Sequence, residues 1–173
     1  MKKDTTKAWD EHALLIGRIS VAANTVQYFV FNLFWLVCQI DIELARAIFF
    51  SVKSDAGQRD MTFAAAKSRL ILTEEETLLT RIGKMLDQAG KLAGERNAFI
   101  HTMWMMQGSD KQMNPSPYSV PHPKLQTHRI KSQADELHKK LSSLVMPMAV
   151  LTTDVSRSPS IEKLREQRTK GQT

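Results

Sequence analysis

Disulfide chemistry is the first thing this sequence leaves out. Its 173 residues hold one cysteine, Cys38, inside an apolar run, so neither a disulfide framework nor a thiolate-based zinc site can form within the chain. A lone thiol in such a run reads as a core residue in a reducing compartment. The sequence also lacks a glycine-rich phosphate loop, a Gly-x-Ser-x-Gly elbow and any His/Glu set at metal-ligand spacing. Nucleoside-triphosphatase, serine-esterase and metallohydrolase chemistry therefore have no residues to rest on. No export signal is expected, because Lys2, Lys3 and Lys7 lead into Asp10-Glu11-His12 and not into an apolar stretch. The most lipid-like segment, Tyr28 to Cys38, contains Asn32 and falls short of the ~20 apolar residues that a bilayer-spanning helix needs. The expectation is a cytoplasmic protein with no membrane partner, no metal and no cofactor.

Charge is present in excess of one sign, and unevenly. The net charge is +6; residues 1–110 carry 13 basic and 13 acidic side chains, and residues 111–173 carry 11 and 5. The basic surplus thus belongs wholly to the last third, where it can attract phosphate.

The chain is long enough for one domain with a real core, and apolar spacing predicts helices almost throughout. From His12 to Cys38 apolar residues fall on nearly every side of a helical wheel, which suits a helix central in a bundle or one shared with a second chain. Asp41 reads as the N-cap of a helix from Ile42 to about Lys53, which Asp55-Ala56-Gly57 would end. A third helix spans Gln58 to Leu70, with Lys67 and Arg69 late in it. Thr73 and Glu76 have capping-box spacing and predict a long helix from about 74 to Met106. Within it, Gly90 and Gly94 form a small-residue pair that would let another helix approach closely. Four of the six prolines fall in Asn114 to Pro123, which reads as an extended loop. A last core helix runs from Ser132 to about Val150, with Pro147 kinking or breaking its end. No strand is expected. The domain is expected to be residues 1–155, followed by a basic C-terminal tail, 156–173, open to flexibility but able to form one short helix from Ile161 to Arg168.

The residues that can do chemistry are Arg96-Asn97-Ala98-Phe99-Ile100-His101, near the end of the long helix. Successive helical residues turn by ~100°, so Asn97 and His101 share a face, while Arg96 stands beside them with a side chain that reaches round. Apolar flanks, Leu92-Ala93 and Met103-Trp104, make an unpaired charge costly there. The spacing extends the buried stripe through Asn97, His101 and Trp104, and predicts three polar groups converging on one cleft. A hydrogen-bonded structural network is the alternative reading of the same residues.

The run resembles the R-x4-6-H signature of the HEPN family, the higher eukaryote and prokaryote nucleotide-binding domains, in which a polar residue, here Asn97, typically follows the arginine. This resemblance implies an all-α fold, a single antiparallel bundle of four to five helices that dimerises. It also implies a metal-independent endoribonuclease whose catalytic residues would be Arg96, Asn97 and His101, with the Arg and His of both chains facing one cleft. RNA would be cleaved by its own 2′-hydroxyl, leaving a 2′,3′-cyclic phosphate and a 5′-hydroxyl. Imidazole serves as acid or base near neutral pH, but one ring cannot readily do both in a single step, and a two-fold dimer supplies two. The planar guanidinium of Arg96 would clamp a phosphate oxygen, and Asn97 would orient His101 or the phosphate. A toxin or defence role, with a neutralising antitoxin protein as partner, is open under the same resemblance. Members without catalysis imply the alternative, a helical dimer that binds a partner protein or nucleic acid and cleaves nothing. Near the proline-rich loop, Tyr118 could stack on a base, and His122, Lys124 and His128 could touch RNA. His12 and His138 read as peripheral.

Overall fold

The computed structural model describes residues 2–70, 75–109, 112–118 and 122–170, with backbone alone at 2–5, 109, 112–113 and 127. In chain order the elements are α1 (Lys2–Cys38), α2 (Ile42–Ser51), α3 (Asp55–Arg69), α4 (Glu76–Ile100), β1 (Trp104–Ser109), β2 (Gln112–Pro117), a 3-10 turn (Thr127–Arg129), α5 (Ile130–Ser156) and α6 (Pro159–Lys170). The protein is mostly helical, as the apolar spacing predicts, but a small antiparallel hairpin interrupts it. Contacts group residues 1–24 with 91–142 as one unit, and residues 25–90 with 143–173 as a second.

Local signals set the helix boundaries of the second unit. Asp41 caps α2 by accepting the N–H groups of Glu43 and Leu44 at 2.8 and 3.2 Å, and these bonds hold its carboxyl below the usual carboxylate range. Asp55-Ala56-Gly57 does not end α2 but opens α3, because the Ser54 hydroxyl accepts the Gly57 N–H at 3.1 Å. The expected capping residue Thr73 lies outside the described residues. α1 stops where Gln39 takes a left-handed φ of 51° and its N–H returns to the Trp35 carbonyl. Phe49 is fully buried between Phe31 and Phe34, ring centroids 5.4 and 5.6 Å away, and anchors α2 on α1. Burial raises the half-buried Cys38 thiol, partly offset by the Arg69 cation.

α5 runs nine residues past Pro147, so that proline does not break the helix. Met148, Leu151 and Val155 beyond it are all fully buried, and their packing outweighs the single backbone bond that proline forfeits. The tail is likewise more ordered than its composition suggests. α6 begins with Pro159 at its first turn, Ile161 is fully buried, and buried Glu75 accepts both the backbone N–H and the hydroxyl of Ser160. Arg168 in turn donates to the Gln39 carbonyl at 3.0 Å.

α1 is not apolar-buried on every side. Val30, Leu33 and Val37 are fully buried, whereas Leu14, Val21 and Tyr28, seven apart, are more than half exposed. Its stretch Thr6–Cys38 is long and apolar enough for a membrane crossing by composition, a test that core helices of this kind also pass. This exceeds the short segment the sequence suggested.

In the first unit the core is formed by Leu15 and Ile19 of α1, Leu92, Ala98 and Phe99 of α4, Leu125, and Ala134, Leu137 and Leu141 of α5. α4 ends at Ile100, six residues before the expected stop, because side chains take its last carbonyls. The Thr102 hydroxyl donates to the Ala98 carbonyl at 2.5 Å, and the Trp104 indole N–H donates to that of Phe99 at 3.0 Å. Trp104 then stacks on Phe99, and the chain leaves as β1. In the hairpin Trp104 pairs with Pro117 and Met106 with Pro115. Two residues apart, both prolines turn their nitrogens the same way, onto the free edge, where no ladder bond is lost. The proline-rich stretch is therefore part strand, not all loop. Gly108, at φ 145°, supplies a backbone conformation near the turn that side chains rarely adopt.

Candidate active site

The six-residue run lies in the first unit, at the C-terminal end of α4. The two residues inside it, Ala98 and Phe99, are 1 % exposed each, so the core grips the helix through them. Arg96 and Asn97 are half-buried and His101 is exposed. Here the structure departs from the spacing argument: the buried stripe passes through Ala98 and Phe99, and the polar residues flank it on the solvent side. The His101 N–H still bonds to the Asn97 carbonyl at 3.0 Å, which keeps His101 in helical phase with Asn97 although α4 has ended. The run thus has a fixed apolar centre and a polar rim of which His101 is the exposed member, while the Arg96 Nε is buried.

Of the loop residues, Tyr118 and Lys124 are brought to this end of α4. The Tyr118 N–H donates to the Met103 carbonyl at 2.8 Å, which returns an exposed phenol ring to the segment just after His101. Lys124 reaches α4 itself: a Cβ built on Gly94 would stand 2.6 Å from the Lys124 ammonium. Gly94 thus makes room for a cation from a loop and not from a helix, whereas Gly90, in the second unit, makes room for the Arg59 guanidinium of helix α3. His122 supports Lys124, its Nδ1 accepting the Lys124 N–H at 3.2 Å.

His128 is elsewhere. It lines a cavity of about 420 Å³ with Glu11, His12, Leu15, Asn114, Pro115 and Lys131. His12, read from sequence as peripheral, is half-buried there, its ring edge-on to Trp104 with centroids 4.3 Å apart, and burial lowers its pKa. Sequence reasoning also missed Lys91, Arg129, Gln133 and Lys140, which share a second cavity with Lys124. Their signal was available, since 129, 133, 136 and 140 repeat at helical spacing as one polar face. Among the described residues no cluster of three His, Cys, Asp or Glu side chains has metal-binding geometry. No family model, curated protein or solved structure matches the chain.

Proposed function

We propose that the chain is an endoribonuclease of the R-x4-H kind that cleaves RNA through its own 2′-hydroxyl, without a metal, as a two-fold dimer. The observation that carries this reading is the arrangement at the end of α4: His101 is exposed on a rim where Arg96 and Asn97 stand half-buried beside it, the Arg96 Nε turned inward, and buried Ala98 and Phe99 hold the helix beneath them. An RNA phosphate can reach such a rim.

The chemistry follows from the residue types. As the 2′-oxygen attacks phosphorus, one imidazole takes its proton, and the imidazole of the second copy protonates the departing 5′-oxygen. Arg96 binds a non-bridging oxygen of the phosphorane, where a planar fork of N–H donors meets the added negative charge. Asn97, in helical phase with His101, orients the ring or the phosphate. One His101 per chain makes the second copy part of the mechanism. Exposed Leu14 and Val21 on α1 of the same unit provide apolar surface for a second copy to cover.

A second reading draws on the half-burial of Arg96 and Asn97, which also suits a structural network in a non-catalytic helical dimer. One experiment separates the two. Purified protein is incubated with mixed RNA in chelator, beside His101→Ala and Arg96→Lys. The nuclease reading expects cleavage that falls by roughly 10²-fold or more in His101→Ala and strongly in Arg96→Lys, with melting temperatures nearly unchanged. The structural reading expects lost stability and no cleavage in any sample. A folded His101→Ala protein that still cleaves at the wild-type rate, or a wild-type protein that scatters light as a monomer at micromolar concentration, sinks the proposed mechanism.

A further inference from the structure

Next to the run, in the same unit, lies a cleft of about 570 Å³ lined by Lys91 and Glu95 of α4, by Lys124 of the connecting segment, and by Arg129, Glu136 and Lys140. Four cations face two carboxylates, and both carboxylates are engaged: Glu95 with Lys140 at 3.3 Å and Glu136 with Arg129 at 2.9 Å. Among the described residues no carboxylate pairs with Lys124. The cleft therefore carries a net positive charge that its own acids do not cancel.

The connecting segment is built rather than loose. The Gln133 side chain accepts the Gln126 N–H at 2.9 Å and donates to the Lys124 carbonyl, while His122 accepts the Lys124 N–H. Bonds on either side of Lys124 fix its backbone, and the missing side chain of Gly94 gives its ammonium a place against α4. The backbone that carries this cation is thus held before a ligand arrives, while the exposed ammonium stays free to meet a phosphate.

We infer that this cleft is a binding track for single-stranded RNA, holding backbone phosphates next to the bond presented to Arg96 and His101. The inference rests on the nuclease reading for the choice of RNA. Continuity along α4 supports it, since Glu95 on the cleft wall directly precedes Arg96. Size favours a single strand: the volume suits one compact ligand of ~300–1,000 Å³, about the bulk of one or two nucleotides, not a rigid duplex. Exposed Tyr118, pinned to Met103, adds a face on which an unpaired base can stack.

The test uses the whole protein and a fluorescein-labelled 12-nucleotide oligouridylate with 2′-O-methyl groups, which keeps every phosphate and cannot be cleaved by 2′-attack. Anisotropy titrations across a salt series compare wild type, Lys124→Ala and Lys124→Glu, with thermal melts to establish folding. Expected results are a several-fold loss of affinity in Lys124→Ala, a larger one in Lys124→Glu, and a salt slope shallower by ~0.7 for the lost phosphate contact. A duplex of equal length and polyglutamate should compete at least about tenfold more weakly than the single strand. Unchanged affinity and slope in folded Lys124→Glu overturn the inference, and so does equal competition by duplex or by polyglutamate. Failure of the nuclease reading looks different: wild type that leaves unmodified RNA intact while its binding depends on Lys124 refutes the cleavage and keeps the track.

Discussion

Replacing Gly94 by alanine should stabilise the protein while weakening its hold on RNA, an uncommon pair of signs for a helix substitution. Gly94 lies inside α4, where alanine is favoured over glycine by about 0.8–1 kcal/mol. The opposing contribution is the contact of the new methyl with Lys124, 2.6 Å from the ammonium and 3.9 Å from the carbon before it. No backbone atom stands among those contacts. The ammonium ends a flexible chain and can swing into the cleft mouth, so the relief is cheap and most of the propensity gain should survive. Urea unfolding should show a gain of roughly 0.5–1 kcal/mol, equivalent to about 1–4 °C in melting temperature for a chain of this size. Affinity for single-stranded RNA should fall, though less than in Lys124→Ala, because the cation leaves its seat on α4 but still stands at the cleft mouth. The double variant Gly94→Ala/Lys124→Ala tests the cause, since it should bind RNA no worse than Lys124→Ala alone. A stability loss above about 1 kcal/mol in Gly94→Ala would refute the reasoning, because it would mean that something stiffer than a lysine tip fills that space.

Two further outcomes follow from the core and from titration. Ile161→Ala should cost about 2–5 kcal/mol in urea unfolding, because a fully buried isoleucine leaves a cavity, and truncation after Val155 should cost at least as much; an unchanged midpoint would show that α6 does not pack. Stability should also decline as pH falls below about 6.5. Burial lowers the folded pKa of His12 below the ordinary imidazole value of about 6.5, so the unfolded chain binds more protons there, and the contribution is full above that value and shrinks until the folded pKa is passed. The groups lining the same cavity, Glu11, His128 and Lys131, also shape the profile, so the diagnostic is the difference from His12→Phe, which should be less steep below pH 6.5; parallel curves would refute the assignment.

Helix content was legible because its signals are local. Asp41 caps α2 through its own side chain, and the apolar spacing of α5 predicts Leu137, Leu141, Leu144 and Met148, all buried. The hairpin was not legible, because Trp104-Met105-Met106 continues an apolar helical pattern and shows no alternation of apolar with polar residues. What ends α4 is a tertiary arrangement, the indole N–H bonded to the Phe99 carbonyl, and no spacing rule encodes it. The short helix allowed over Ile161 to Arg168 is present within α6, but its packing was hidden for a related reason: one isoleucine in a charged stretch carries little periodic signal, yet that residue is fully buried. At the site the residue types were legible and the face was not. Arg96, Asn97 and His101 could be picked from sequence, but periodicity assigned to them the burial that belongs to Ala98 and Phe99.

That reversal bears on how the site can work. Had α4 continued to Met106, His101 would sit mid-helix with its flanks committed to neighbouring turns, and no strand would return Tyr118 to Met103. The Trp104 indole joins three features: it caps α4, stacks on buried Phe99 and meets His12 edge-on. Because Phe99 is also the anchor within the run, the residue that ends the helix is packed on the residue that holds the site in place. The exposed imidazole is therefore carried by a helix end that is fixed from beneath and capped by its own hairpin. Under the proposed mechanism that imidazole would meet both a substrate phosphate and a second copy of the chain, and such a support suits it, since its open side would be reserved for them and restraint would have to come from the other.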